Sequence, residues 1–167
     1  GVLEDMKVSI LIPAYNEEAT ILPVISAVRA VELPPGIGRE IVVVNDGSTD
    51  GTAQKLEQVG GDPLVRVFHQ ACNQGKTAAL RRCIREAAGD LLLVQDADFE
   101  YNPCEYPKLL KPILEGKADV VYGSRFMGTI RHMKRINRWA NIVSNMTFRL
   151  LYGKRITDIN TCFKVFR

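Results

Sequence analysis

The chain has 167 residues, of which 46% are hydrophobic and 25% are charged, and its formal net charge is +3. This length is enough for one domain with its own core, and the composition is that of a globular protein rather than a disordered, collagen-like or coiled-coil one. The longest apolar runs, such as Leu91–Val94, are far shorter than a membrane-spanning helix requires. Four scattered cysteines without a CxxC pair indicate reduced thiols of a cytosolic protein rather than a disulfide framework or a zinc site.

Charge is distributed unevenly along the chain. Residues 1–124 carry 12 basic and 18 acidic side chains, whereas residues 125–167 carry 10 basic and 1 acidic. A block this strongly basic predicts an anionic partner, such as phosphate groups, nucleic acid or an acidic lipid surface. We therefore distinguish an acidic part, 1–124, from a basic part, 125–167.

Short apolar segments alternate with helical patterns in the first two-thirds of the chain. The patterns predict strands at 8–12, 40–44, 65–68, 90–95 and 119–122, with helices between them. Pro13 is expected to close the first strand, and Asn16 to cap the first helix, with Glu17 and Glu18 in its first turn. Apolar strands alternating with helices indicate an α/β fold of three layers, with a mostly parallel sheet covered on both faces.

The strongest functional signal is Asp96-Ala97-Asp98, which follows directly on the predicted strand 90–95. Alternate residues at an extended strand end point the same way, so the two carboxylates are expected to share one site. Two carboxylates in a partly dry site repel each other, and oxygen-only ligands favour Mg²⁺ or Mn²⁺ bridging to a substrate phosphate. Ligands of parallel α/β sheets bind beyond the carboxyl ends of the strands, where these residues lie.

Two other motifs resemble binding loops without meeting their requirements. The stretch 46–51 nearly matches a calcium-binding loop, but a buried strand precedes it where that loop needs a helix. Gly75-Lys76-Thr77 resembles the end of a phosphate-binding P-loop, but Gln70 stands where the motif requires glycine. We therefore expect Gly75 to mark a helix start where two backbones approach closely.

The basic part contains a helical pattern of apolar residues from Ile136 to Leu151, flanked by Arg135, Arg138 and Arg149. Two interpretations remain open. The segment is either a core-packing helix with a solvated basic face, or a helix at a membrane surface whose arginines face lipid phosphates.

Five segments together resemble the family 2 glycosyltransferases, which have the glycosyltransferase A fold, a Rossmann-like nucleotide-diphospho-sugar transferase fold. The matching segments are VSILIPAYNEE (8–18), EIVVVNDGSTDGT (40–52), NQGKTAAL (73–80), GDLLLVQDADFE (89–100) and DVVYGSRF (119–126). The ending TDINTCFKVFR (157–167) is similar to the polyprenyl-phosphate branch, the dolichyl-phosphate mannose and glucose synthases and their bacterial relatives.

The resemblance implies a role for each matching residue. The residues expected to bind the nucleotide sugar are Pro13, Ala14, Tyr15, Glu17, Val44, Asp46, Asp96, Ala97, Asp98, Arg125 and Arg138, with Val44 and Asp46 at the base. The expected metal ligands are Asp96, Asp98 and Glu100. The expected catalytic residues are Asp96, Asp98, Arg125 on the phosphates and Asp158 at the sugar or acceptor phosphate.

The implied activity is a Mg²⁺- or Mn²⁺-dependent, inverting transfer of a hexose from a UDP- or GDP-sugar to a dolichyl or undecaprenyl phosphate. The single catalytic domain, 1–167, would bind the nucleotide sugar and metal in 1–124 and the acceptor in 125–167, and would lie on the cytoplasmic face of a membrane. Family members normally continue with further helices, so we expect a C-terminal part to be missing.

Other functions remain open at this point. A saccharide hydroxyl acceptor and a non-catalytic module that binds anionic lipid or nucleic acid are the two alternatives. A sugar nucleotidyltransferase is disfavoured, since Pro13–Glu17 stands where that class has a glycine-rich loop. Under the transferase hypothesis no nucleic-acid partner is expected.

Overall fold

The computed structural model describes residues 6–99, 101–123 and 164–167. Within these ranges the strands are β1 (Met6–Ala14), β2 (Ile37–Asn45), β3 (Val65–His69), β4 (Leu91–Val94), β5 (Val120–Tyr122) and β6 (Lys164–Phe166). The helices are α1 (Ile21–Ala30), α2 (Thr52–Glu57), α3 (Lys76–Glu86) and α4 (Tyr106–Leu114), the last preceded by a short 3-10 helix at Pro103–Glu105.

The strands form one sheet in the order β3-β2-β1-β4-β6-β5. β1 lies at the centre of four parallel strands, paired with β2 on one side and β4 on the other, while β6 runs antiparallel between β4 and β5. Residues 8–14 of β1 and 40–45 of β2 are all buried, as expected of parallel strands with helices on both faces. The prediction of a mostly parallel sheet is confirmed.

Helices cover both faces of the sheet and complete three layers. Ile10 and Ile12 of β1 belong to a core cluster with the buried faces of α1, α2 and α4. Leu11, between them in sequence, belongs to a second cluster with Ala79 and Cys83 of α3. This alternation follows from the period of two in a strand, and it places α3 alone on its face among the described helices. The predicted three-layer α/β/α architecture is confirmed.

The segment between β1 and α1 differs from the prediction. β1 continues through Pro13 to Ala14, and α1 begins only at Ile21, so Asn16 does not cap it. Asn16 instead has a left-handed φ of 55°. Its Oδ1 accepts a hydrogen bond from the Thr49 N–H at 2.8 Å, and the Glu18 carboxylate accepts one from the Gly51 N–H at 3.0 Å. These contacts join the loop after β1 to the loop after β2. They hold Asn16 away from the start of α1, although asparagine is a preferred helix N-cap.

A buried carboxylate connects the sheet near the amino ends of its parallel strands. Glu40 of β2 is 4% exposed, and its Oε1 accepts hydrogen bonds from the Ser9 hydroxyl at 2.5 Å and the Ala88 N–H at 2.6 Å. Lys7 Nζ lies 3.2 Å from Oε2. Burial alone would raise the pKa of Glu40, but the hydrogen bonds from Ser9 and Ala88 and the charge of Lys7 outweigh it and lower that pKa. Glu40 thus joins β1, β2 and the segment that leads into β4.

The described residues include three of the four cysteines, and Cys162 lies outside them. Cys72, Cys83 and Cys104 are free thiols, and burial raises the pKa of Cys83 to about 12. Among residues 6–99, 101–123 and 164–167, no helix combines the length and apolar character needed to cross a bilayer.

Candidate functional site

A cavity of about 240 Å³ opens beyond the carboxyl ends of β1, β2 and β4. The chain proceeds from β1 to β2 and β3 on one side of β1 and then returns to β4 on the other side. Ligands of open α/β sheets bind at such a reversal of strand order, because the loops that follow the two neighbouring strands diverge there. The residues that line the cavity are Pro13, Ala14, Tyr15, Glu17, Asp46, Asn73, Gly75, Lys76, Ala79, Asp96, Ala97 and Asp98.

The cavity brings together eight of the residues predicted from the sequence: Pro13, Ala14, Tyr15, Glu17, Asp46, Asp96, Ala97 and Asp98. Val44, predicted to lie at the base, is not among the lining residues. Its side chain is fully buried in the core cluster beneath α3, since it points to that face of β2. Glu100, Arg125, Arg138 and Asp158 lie outside the described residues.

Asp46 organises the loop that leads into α3. Its carboxylate accepts hydrogen bonds from the backbone N–H groups of Gln74 at 2.9 Å and Gly75 at 2.8 Å, and from the side-chain amide of Gln70. Its own N–H donates to the Ala14 carbonyl at 2.8 Å. Asp46 is buried, so these donors satisfy a carboxylate that would otherwise be costly to remove from water. In the structure, Asp46 therefore holds together the β1 end and the segment 70–75.

The turn that carries Asp96 and Asp98 is fixed from beneath by Gln95. The Gln95 side-chain amide donates to the carbonyls of Asp96 at 3.0 Å and Tyr101 at 3.2 Å. The Tyr106 hydroxyl donates to Gln95 Oε1 at 2.8 Å, and burial raises the pKa of Tyr106 well above its usual value, so it stays a donor. Phe99 reverses the chain with a left-handed φ of 59°, which is uncommon for a residue other than glycine. The sequence analysis did not identify Gln95, because nothing local marks its partners.

Lys76, which sequence analysis set aside with the P-loop motif, contributes a cation to the cavity. Its Nζ lies 2.5 Å from Asp96 Oδ1. The expectation of a close backbone approach at Gly75 is wrong, since a Cβ placed there would meet no atom within 4 Å. Gly75 has a left-handed φ of 89°, and that conformation is what requires glycine. The NQGKTAAL segment was the available signal for Lys76, because it belongs to the family resemblance.

Among the residues that the structure describes, the charged groups lining the cavity are four carboxylates and the Lys76 ammonium. Such a balance is unfavourable for an anionic ligand unless further positive charge is present. Asp96 is buried and Asp98 is exposed, and both line the same cavity. In the described part of the chain, no three His, Cys, Asp or Glu residues are grouped as metal ligands. Two carboxylates still fit Mg²⁺ or Mn²⁺, which keep waters and take the remaining ligands from a phosphate.

The fold and this cavity define an α/β domain with a cavity at the carboxyl edge of a parallel sheet. The model of the family described as glycosyl transferase family 2 matches residues 9–167. The chain belongs to this family.

Two curated relatives illustrate which members of the family are similar. A dolichol-phosphate mannosyltransferase of Pyrococcus furiosus is 37% identical over 122 residues, which cover 73% of this chain and 34% of the relative. An undecaprenyl-phosphate 4-deoxy-4-formamido-L-arabinose transferase of Pectobacterium carotovorum is 30% identical over 171 residues, covering 99% of this chain and 50% of the relative. The chain thus spans half the length of these relatives or less.

Solved structures share the fold. S. aureus TarS 1–349 in complex with UDP is 27% identical, with a TM-score of 0.60 over 78% of this chain and 40% of that one. Glucosyl-3-phosphoglycerate synthase of Mycobacterium tuberculosis is 24% identical, with a TM-score of 0.71 over 96% of this chain and 55% of that one.

Proposed function

We propose that this chain forms the catalytic domain of a glycosyltransferase that moves a hexose from a nucleoside diphosphate sugar to a polyprenyl phosphate. The observation that carries the proposal is the cavity at the carboxyl ends of β1, β2 and β4, where Asp96, Asp98 and Lys76 meet. Both curated relatives described above are named as transferases acting on a polyprenyl phosphate, and the structure of TarS contains UDP. These names support the same donor and acceptor classes here.

The residues of the cavity divide between the two ends of such a donor. Pro13 and Ala14 end β1, Tyr15 and Glu17 follow it, and together they form the wall on which a nucleoside would lie. Asp46 supports that wall and the loop before α3 through the contacts described above. At the other end, Lys76 offers an ammonium group to the phosphates, and Asp96 and Asp98 would hold Mg²⁺ or Mn²⁺.

The reaction is proposed as a single displacement that inverts the anomeric carbon. An oxygen of the acceptor phosphate attacks that carbon, and the nucleoside diphosphate leaves with the electron pair of the broken bond. A divalent ion, when bound, supplies positive charge that stabilises the departing diphosphate. An acceptor phosphate is already ionised near neutral pH, so the chain needs no strong general base. It needs cations that hold two anions together, and the basic part, 125–167, is rich in them.

The same proposal assigns the two substrates to different parts of the chain and places the protein at a membrane. Residues 1–124 bind the nucleotide sugar and the ion, and residues 125–167 contribute Arg125, Arg138 and Asp158 to the phosphates, the sugar or the acceptor. Glu100 assists Asp96 and Asp98. Because the acceptor is a lipid, the protein is proposed to work at the cytoplasmic face of a membrane, where the net positive charge of residues 125–167 favours anionic head groups.

Calorimetric titration with UDP, GDP and the matching monophosphates, each with and without Mn²⁺, tests the donor assignment. We expect nucleotides of only one of the two bases, uracil or guanine, to bind. The diphosphate should bind more tightly than the monophosphate, and Mn²⁺ should increase the affinity for the diphosphate only. Asp98→Ala should remove the Mn²⁺ effect, whereas Asp119→Asn, at an exposed position before β5, should keep it. Absence of binding by both diphosphates, with and without Mn²⁺, would refute the proposal.

A transfer assay tests the acceptor separately. The preferred sugar nucleotide is offered with a polyprenyl phosphate, with the same lipid lacking its phosphate, and with a free saccharide. Transfer to the polyprenyl phosphate alone is expected, because the basic part needs an anion. Preference for the saccharide hydroxyl would place the chain in another branch of the family and leave the donor assignment intact.

A further inference from the structure

Lys76 and Asp96 form an ion pair in the cavity. The Lys76 Nζ lies 2.5 Å from Asp96 Oδ1, and the exposed fractions of the two side chains are 53% and 8%. A carboxylate this deeply buried requires a positive charge or several hydrogen-bond donors, since removing it from water is costly. Lys76 therefore supplies a positive charge at the carboxylate proposed to hold a divalent ion.

The backbone that carries Lys76 is fixed, while its ammonium group is able to move. Lys76 is the first residue of α3, and the N–H groups of Gln74 and Gly75 just before it are held by Asp46 at 2.9 and 2.8 Å. The lysine stem has four flexible carbons and ends half-exposed at the cavity. The ammonium group can thus leave Asp96 and reach a neighbouring anion in the same cavity without any movement of α3.

We propose that Lys76 is the resident counter-ion of the donor site and competes with the divalent ion for Asp96. While the ammonium group stays on Asp96, a second cation meets both an engaged carboxylate and like-charge repulsion. A nucleoside diphosphate offers phosphate oxygens to the ammonium group, draws it away and leaves Asp96 to the ion. Diphosphate and ion therefore favour each other's binding beyond what direct coordination between them gives, and this coupling is reciprocal. The inference rests on the proposed function.

The decisive measurement is Mn²⁺ binding in the absence of nucleotide, followed by the electron paramagnetic resonance signal of free Mn²⁺. We compare the wild-type chain with Lys76→Met, which keeps the stem and removes the charge, and with Lys76→Arg, which keeps the charge. We expect Lys76→Met to bind Mn²⁺ about tenfold more tightly than wild type, a change of about 1.4 kcal/mol. Lys76→Arg should bind it as weakly as wild type.

The same variants are then titrated with UDP and GDP. Lys76→Met should bind the diphosphate more weakly in the absence of Mn²⁺, and Mn²⁺ and the diphosphate should strengthen each other less than in wild type. Lys108→Met is the matched control, because Lys108 is an exposed lysine of α4 outside the cavity, and it should behave as wild type throughout. Thermal unfolding of each variant verifies that it is folded.

Failure of the counter-ion role of Lys76 and failure of the proposed function give different results. If Lys76→Met binds Mn²⁺ alone no more tightly than wild type does, including the case where neither binds it measurably, the counter-ion role is overturned. The proposed function survives that result as long as UDP or GDP binds together with Mn²⁺. If wild type binds neither diphosphate under any condition, the proposed function itself fails.

Discussion

Replacing Asp46 by asparagine should weaken the fold and the donor site together. The change keeps the shape of the side chain but replaces one carboxylate oxygen by an N–H₂ group. Gln74 N–H and Gly75 N–H both point at this carboxylate, so at least one of them would face a donor instead of an acceptor. An unsatisfied buried donor together with the loss of a charge-assisted hydrogen bond costs about 2–4 kcal/mol.

The stability loss is measurable as a shift of the melting temperature. For a chain of this size 1 kcal/mol corresponds to about 2–4 °C, so Asp46→Asn should melt about 5–15 °C lower. The loop 70–75 would no longer fix the start of α3, and Lys76 would be less well placed, so the affinity for whichever of UDP and GDP binds the wild-type chain should fall as well. Differential scanning calorimetry of the ligand-free chain and calorimetric titration provide the two measurements, with Asp119→Asn as the control.

The two measurements together identify what Asp46 does. A residue that only contacts the base would lose affinity for one nucleotide on substitution and leave the melting temperature unchanged. If Asp46→Asn melts within 2 °C of wild type, the reasoning from its contacts is refuted, and direct contact with the base becomes the better explanation.

Three further predictions follow from other parts of the structure. Asp98→Ala should lower the transfer rate about a hundredfold or more if Asp98 binds the ion, and a near-normal rate with Mg²⁺ and Mn²⁺ would remove it from the proposed site. Glu40→Gln should cost about 1–3 kcal/mol in urea unfolding at pH 7. The folded-state pKa of Glu40 is lowered, so its stabilisation is complete above the unfolded pKa of about 4.3 and is lost as the pH falls through the folded value. The difference in unfolding free energy between wild type and Glu40→Gln should therefore shrink below about pH 4. A difference that does not depend on pH would contradict the ion pair. Gly47→Ala should destabilise far more than Gly75→Ala, since both glycines have left-handed φ but only at Gly47 would a Cβ collide with the Cys72 backbone, and equal melting temperatures would contradict this difference.

The parallel core of the fold was predictable because its signal is local. The apolar runs of β1, β2 and β4 are buried on both faces, and continuous hydrophobic segments between helical patterns identify such strands without knowledge of their neighbours. β6 gave no comparable signal. It has three residues, and its antiparallel place between β4 and β5 is set by pairing with residues far away in sequence.

The candidate site was predictable where strand ends carry it and not where distant contacts build it. Asp96 and Asp98 were found because they follow a buried strand directly. Asn16 was expected to cap a helix, and the opposite result arises from its hydrogen bond with Thr49, which no local preference contains. Lys76 was set aside with the P-loop motif because of Gln70, and no local pattern indicates its partner, Asp96, which lies 20 residues further along the chain.

The place of β6 bears on the order in which the chain is assembled. β4 is synthesised about 70 residues before the strand that completes its hydrogen bonding, since Val94 pairs with Lys164. Until then, the edge of β4 presents unpaired amide and carbonyl groups on an apolar strand, and such edges recruit other chains. A nascent polypeptide with this topology therefore carries Leu91–Val94 without its β6 partner until Lys164–Phe166 has been synthesised.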